Sequence, residues 1–389
     1  MLYYRYRPPS ELSFKELLYS ELYFSSAAEC NDPFDGAAFY KFSVDYDRWR
    51  RLFTWALGDL SAQEPSVADA LAKQMCSIGE LTFDEAAELD YREMLRSCAG
   101  IDNPIFQIAM AECIYRAYET YKPEEHYFVS FARVPDEPLL WSHYAGRHEG
   151  FCLVFRSIQS SIWQYQETLK RSIARKTPRS FSPNMSQGLP KRFPIRDITY
   201  EEEPNYLNAF YRFAESVANV DFSEQERRDL ASEQQKHYFT KSRSWAYECE
   251  SRIALRSPAS WLFGERVEYS RQERLFRFEP SQLVGVILGA RASDETRTRV
   301  LEIVAERRDE LSASRDYKRT IFDCLVQQAE LSTRGRQIVV KPTHIFGLGD
   351  CLEPENNGFE QRLSDWQKGC GLEFDGTRGA RKVFAEDLD

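Results

Sequence analysis

The chain opens on strict alternation: in "LYYRYR", Leu2, Tyr4 and Tyr6 fall on one side and Tyr3, Arg5 and Arg7 on the other. This is the period of a strand, which Pro8 and Pro9 then end. "SELSFKELLYSEL" reads as a short helix with Ser10 or Ser13 as cap and Leu12, Leu17 and Leu18 inward, and "YFSS" follows as strand. "AAECNDPFDG" is dense in turn formers and predicts a fixed loop. Across residues 46–122, apolar positions recur three and four apart in four successive segments, which predicts an α-helical insertion.

Strand alternation returns in "EEHYFVSFARV". "PDEPLLWSHYAG" then carries Pro138 at a first helical turn and Gly146 at the end of one short helix. "GFCLVFR" is apolar throughout, as a central strand is. Residues 168–196 hold four prolines and predict a loop. "DITYEEEPNYLNAFYRFAESVANV" starts as strand and moves into helix, and "SEQERRDLASEQQKHYFTKSRSW" continues as helix. "WAYECESRIAL" and "LVGVILGA" read as strands, and "SDETRTRVLEIVAERRDEL" as a helix capped by Ser293. The pattern weakens after about residue 315. The expectation is one α+β domain over residues 1–315, with the helical insertion at 46–122 and a partly irregular C-terminal extension over 316–389, its last forty residues loosely attached. The insertion and the extension are candidate surfaces for a protein partner.

Composition narrows the function classes. With 389 residues, 42% of them hydrophobic, the chain can bury a large core. A formal charge of −10 argues against a surface coated in positive charge for duplex binding. No stretch approaches the roughly 20 apolar residues of a membrane span or has the form of a signal peptide, so a cytoplasmic protein with no membrane partner is expected. Nine scattered cysteines without a CxxC pair read as reduced thiols.

Charge placement singles out candidate chemistry. In "WAYECESRIAL", strand geometry puts Glu248, Glu250 and Arg252 on one face, opposite Trp245, Tyr247, Cys249, Ile253 and Leu255. Two carboxylates about 7 Å apart raise one another's proton affinity while Arg252 offsets this, so one Glu can be poised for acid–base work; a solvated Arg–Glu face is the plainer alternative. In "WSHYAGRHEG", His143 and His148 stand five apart with no further ligand run nearby, which is not the spacing of a helical zinc pair, and no metal is expected. Cys152, inside "FCLVF", reads as core rather than nucleophile. Gly289 ends a strand before a helix and offers one weak phosphate cradle. Asp32 and Asp35 in "NDPFDG" suggest metal carboxylates, yet Asn-Asp-Pro turns commonly serve backbone geometry. Between Glu167 and Asp197 every charged residue is basic, so the 168–196 loop is the candidate surface for a nucleotide or nucleic acid.

Taken in order, "YYRYR", "YFSSAAECNDPFDG", "FVSFARVPDEPLLWSHYAGRHEGFCLVF", "KHYFTKSRSWAYECESR" and "LVGVILGA" resemble the bacterial family catalogued as domain of unknown function 2971. Cys30, where an aromatic is usual, and Ser251, where Trp is common, depart from its pattern. The layout also resembles ADP-ribosyltransferases, with an early strand bearing Arg, a middle strand bearing Ser or Tyr, and a late strand bearing Glu-x-Glu. That second resemblance implies a bent, mostly antiparallel split β-sheet clasping NAD as substrate. It implies that Arg5 or Arg7 anchors the phosphates and that Ser130, Trp141, Ser142, Tyr144 and Arg252 complete the NAD site. Glu250 would bond the ribose, Glu248 would orient the acceptor, and His143 would join them as a catalytic group. By analogy it points to a toxin or antiphage effector. A metal-dependent nuclease or hydrolase using Glu248, Glu250 and Asp32 is one alternative, and a non-catalytic nucleotide sensor is another.

Overall fold

The computed structural model describes every residue except 33, 37–38, 124–125, 166–170, 174–175, 178–179, 182–184, 188–189, 214–216, 218–222, 257–268, 314–319, 376–378 and 389. Ten strands of the described chain form one sheet: β1 (Leu2–Arg7), β2 (Ser25–Ser26), β3 (His126–Ala132), β4 (Phe151–Arg156), β5 (Arg196–Asp197), β6 (Glu250–Arg256), β7 (Leu283–Leu288), β8 (Cys324–Leu331), β9 (Ile338–Phe346) and β10 (Cys351–Leu352). Their order is β5-β6-β3-β1-β4-β7-β8-β9-β10, with β2 added on β3. Only the β7–β8 pair among them is parallel. The expected α+β class with a large, mostly antiparallel sheet is therefore what the chain adopts.

Alternation along each strand gives the sheet two apolar faces. Phe151, Leu153 and Phe155 of β4 face one core together with Phe14 and Leu17 of helix α1 (Glu11–Tyr19). Val300, Ile303 and Val304 from the long helix of residues 294–313 join them there. Cys152 and Val154 face the other core, shared with Trp141, Phe359 and Trp366. Ser10 caps α1 as expected, but Leu12 is exposed, because the buried stripe runs through Ser13, Phe14, Glu16 and Leu17.

The helical insertion forms, with α2 (Tyr46–Leu57), α3 (Asp59–Gln63), α4 (Pro65–Ile78), α5 (Phe83–Ala87), α6 (Tyr91–Ser97) and α7 (Pro104–Tyr121) around a core of their own. Two segments outside 46–122 complete that core: Tyr40 and Phe42 on one side, and Leu207, Phe210 and Phe213 on the other. Residues 207–213 are thus a two-residue strand on Tyr40–Lys41 and a 3-10 turn, not the start of a helix.

Two further expectations give way. Residues 245–249 are not strand: Arg243–Glu248 is a 3-10 turn, Cys249 takes a φ of +44°, and β6 begins at Glu250. The ladder runs out here: β3 ends at Ala132, opposite Glu250, and just beyond it the Arg133 amide donates to the Cys249 carbonyl at 3.0 Å before the chain turns away. The C-terminal extension supplies β8, β9 and β10 to the main sheet, with Leu325, Val326 and Ile345 buried, and its last forty residues, expected to attach loosely, bury Phe359 and Trp366 in the second core. Pro342 lies in β9 beside a register irregularity, where a strand tolerates proline. The 168–196 stretch falls partly outside the described residues. Where described, its backbone forms short antiparallel ladders, Arg171–Ile173 on Met185–Gln187 and Lys176–Thr177 on Ser180–Phe181.

"WSHYAGRHEG" closes as predicted in its first half. Helix α8 (Pro138–Tyr144) has Pro138 at its first turn, capped by the Glu137 side chain. It then unwinds through three left-handed residues, Gly146, Arg147 and His148. The turn docks on the ends of β1 and β7: the Gly289 amide donates to the Gly150 carbonyl at 2.8 Å, and that of Arg291 donates to His148 at 2.9 Å. The Gly289 amide is therefore occupied by the fold and is not offered to a phosphate. A Cβ at Gly150 would sit 2.1 Å from the Arg7 carbonyl oxygen, so no side chain fits there. Gly150→Ala is expected to lower stability by about 1–3 kcal/mol by forcing this backbone apart, as read from a thermal unfolding midpoint. An unchanged midpoint would show that the turn can move.

Candidate functional site

Strands β1 and β3 are neighbours in the sheet. The two strands meet at one register position, Tyr4 opposite Ala132; farther along β3, Ser25 and Ser26 of β2 occupy that edge. Beyond the junction lies a cleft of about 320 Å³. Arg5 and Arg7 of β1, Ser130 of β3, Tyr144 of α8, and Glu248 and Glu250 at the start of β6 all line it.

One wall is basic. Arg5 and Arg7 point the same way from β1, as the alternation predicts, and both reach Glu16 of α1, at 2.6 and 2.7 Å. Arg5 also donates to the Ser130 carbonyl at 3.0 Å, tying β1 to β3. Two guanidiniums share one carboxylate, so this wall keeps a net positive charge.

The opposite wall is a buried network of three carboxylates and two cations. Arg252, with no exposed surface, holds Glu250 through Nε and Nη2 at 2.5 and 2.9 Å, and Asp35 through Nη2 at 2.7 Å. Lys241 Nζ stands 2.6 Å from Glu248, 3.3 Å from Glu250 and 3.4 Å from Asp35. The Tyr144 hydroxyl donates to Glu248 at 2.6 Å and accepts from the Asn31 amide at 2.9 Å. Such a network holds only if the groups satisfy one another. Its formal sum is −1, three negative charges against two positive.

The environments push the two glutamates apart. Burial raises the proton affinity of Glu250, but Arg252 and Lys241 outweigh it and bring its pKa below the usual carboxylate range. For Glu248 burial dominates the opposing pull of Lys241 and Tyr144, and its pKa is raised. One carboxylate therefore stays ionised while its neighbour is tuned toward proton exchange. Burial and Asp35 push the Cys30 thiol, which also lines the cleft, up to about 12. It is a neutral thiol, not a ready nucleophile.

Three expected site residues of the "WSHY" run lie elsewhere. Trp141 is fully buried in the core, its indole donating to the Pro135 carbonyl at 2.9 Å and its ring edge-on to Tyr6, so it offers no stacking face to the cleft. Ser142 and His143 do not line the cleft, and His143 is exposed. Helical geometry explains this: with Trp141 inward and Tyr144 turned to the cleft, His143 points outward. Arg252 lies beneath the cleft, not in its lining, and positions the carboxylates. Asp32 makes a turn, its carboxylate accepting from the Phe34 amide at 2.9 Å, whereas Asp35 belongs to the charged network.

Glu16, Asn31 and Lys241 are functional candidates that the pattern reading did not select. Lys241 had a signal, since it stands at the first position of a "K...W.yE.E" run ending in Glu248 and Glu250. Among the described residues no group of three His, Cys, Asp or Glu is arranged to hold a metal ion, and no helix is long and apolar enough to cross a membrane.

The fold and site define an α+β protein with a bipolar, charge-lined cleft where β1 and β3 meet. The family described as "Protein of unknown function (DUF2971)" matches residues 140–253, so the resemblance to that family holds from α8 through most of β6. No curated protein and no solved structure matches the chain.

Proposed function

We propose that the chain is an ADP-ribosyltransferase-like enzyme that cleaves NAD in this cleft and passes the ADP-ribosyl group to an acceptor. The observation carrying the reading is the meeting of Arg5, Ser130 and Glu250 in the cleft, on strands β1, β3 and β6 that are consecutive in the sheet. These are the early, middle and late strands on which the resemblance puts its Arg, Ser and Glu.

The charge layout suits the substrate. NAD carries an anionic pyrophosphate at its centre and a cationic nicotinamide riboside at one end. Arg5 and Arg7 would meet the phosphates. The net negative wall would face the riboside, where positive charge spreads onto the ribose as its C1′–N bond breaks and the electron pair leaves with nicotinamide. Ionised Glu250 stabilises that oxocarbenium-like state. Glu248 takes the proton of the acceptor as it attacks C1′. The nuclease reading fits less well, because Lys241 and Arg252 already occupy carboxylate oxygens that a divalent cation would need.

The test is nicotinamide release from NAD, with and without EDTA, alongside nucleic-acid integrity. Release that persists in EDTA is expected; EDTA-sensitive cutting without release would reject the reading. A base at Glu248 works only when deprotonated. Activity should therefore fall as pH drops through an apparent pKa above the ordinary carboxylate range. Glu248→Gln should lose about 10²–10⁴-fold and flatten that acid limb. A Glu248→Gln enzyme that keeps the limb would put the base elsewhere.

A further inference from the structure

A second chamber of about 410 Å³ adjoins the cleft, with Lys241 lining both. Its composition is unlike the first. Phe34, Phe39 and Tyr206 give it aromatic walls, and Phe34 and Tyr206 are 69% and 47% exposed, a large apolar area to leave toward water. Four carboxylates, Asp32, Glu201, Glu202 and Glu203, line it against two lysines, Lys236 and Lys241. Lys241 is committed to Glu248, while Glu202 pairs with Arg243 at 3.1 Å. The balance is negative, which repels phosphates and draws cations.

An independent observation points to a ligand. His237, only 6% exposed, lines this chamber, and its Nε2 is buried without a hydrogen-bond partner. A buried polar atom left unmatched is costly, so the site is built to be completed from outside. Burial lowers the pKa of His237, so near neutral pH the ring is uncharged and one nitrogen can accept. The local frame is fixed: Thr199–Glu201 pairs in parallel with Thr240–Ser242, holding Glu201 beside Ser242 and Thr199 beside Thr240.

We propose that this chamber binds a guanidinium group, a planar cation whose face stacks on Phe34 and Tyr206 and whose N–H edge meets His237 and the glutamates. Aromatic faces attract cations, guanidinium above all when it lies flat on the ring. Carboxylates pair with its fork of donors. The base of a nucleotide would share the stacking, but its phosphate would meet the glutamates.

The inference does not depend on NAD being used, and its test contains none. Agmatine is titrated calorimetrically into the full chain, with guanosine monophosphate as the anionic planar control. The expected result is agmatine binding, weakened about fivefold in Phe34→Ala and also weakened in Glu201→Gln, with no binding of the nucleotide. Phe34 is exposed, so its variant keeps the fold. No agmatine binding, binding unchanged in both variants, or tighter binding of the nucleotide would overturn the proposal.

Discussion

Arg252→Met is expected to lower the stability of the protein by about 3–5 kcal/mol, the usual cost of stranding buried carboxylates by removing their partner. Methionine fits the apolar part of the site, where the guanidinium lies 4.1 Å from the Phe128 ring centroid. It leaves Asp35, Glu248 and Glu250 with Lys241 alone, which takes the network from −1 to −2. The sign of the pH dependence follows from Glu250. In the wild type its folded pKa lies below the usual range, so its contribution is present at neutral pH and lost as pH falls through the folded value. The gap between wild type and Arg252→Met should therefore be widest near neutrality and narrow toward about pH 4, where free carboxylates take up protons. Thermal unfolding midpoints across that range measure it. A gap of under 1 kcal/mol at neutral pH would mean that the network is hydrated and not buried.

Glu250→Gln should do the reverse, keeping the fold and removing activity. The amide preserves the shape of the side chain, and the remaining charges, Asp35 and Glu248 against Lys241 and Arg252, sum to zero. A buried network at neutrality is easier to hold than one at −1. The oxocarbenium-like state, however, loses the carboxylate that stabilises it. A loss of about 10²–10³-fold in nicotinamide release is expected, the size seen when one preorganised electrostatic partner of a transition state is removed. Alanine would be a poorer test, because it adds a cavity to the charge change.

How much of this was legible in the sequence depended on how local each signal was. Period-two alternation put Arg5 and Arg7 on one face, and both reach Glu16. The same reasoning grouped Glu248 with Glu250, but for a reason the structure changes. They converge because the left-handed Cys249 joins a 3-10 turn to the strand, not because one strand carries both. Long-range partners left no such trace. Nothing in the periodicity of "NDPFDG" says that Asp35 will meet Arg252, 217 residues away. Trp141 and His143 were misplaced because a short helix between two strands can turn any of its faces to the core, and the Tyr6 ring takes Trp141. The C-terminal strands were underestimated because β8 carries two glutamines and β9 a proline, which dilute the apolar pattern.

The most direct measurement is nicotinamide released from NAD by the wild-type protein and by Glu250→Gln, each shown by its unfolding midpoint to be folded. The account predicts release by the wild type and a loss of at least about 100-fold in the variant. Equal release by the two proteins, or none from the folded wild type with nucleic-acid, nucleotide and guanidinium acceptors supplied, would contradict it.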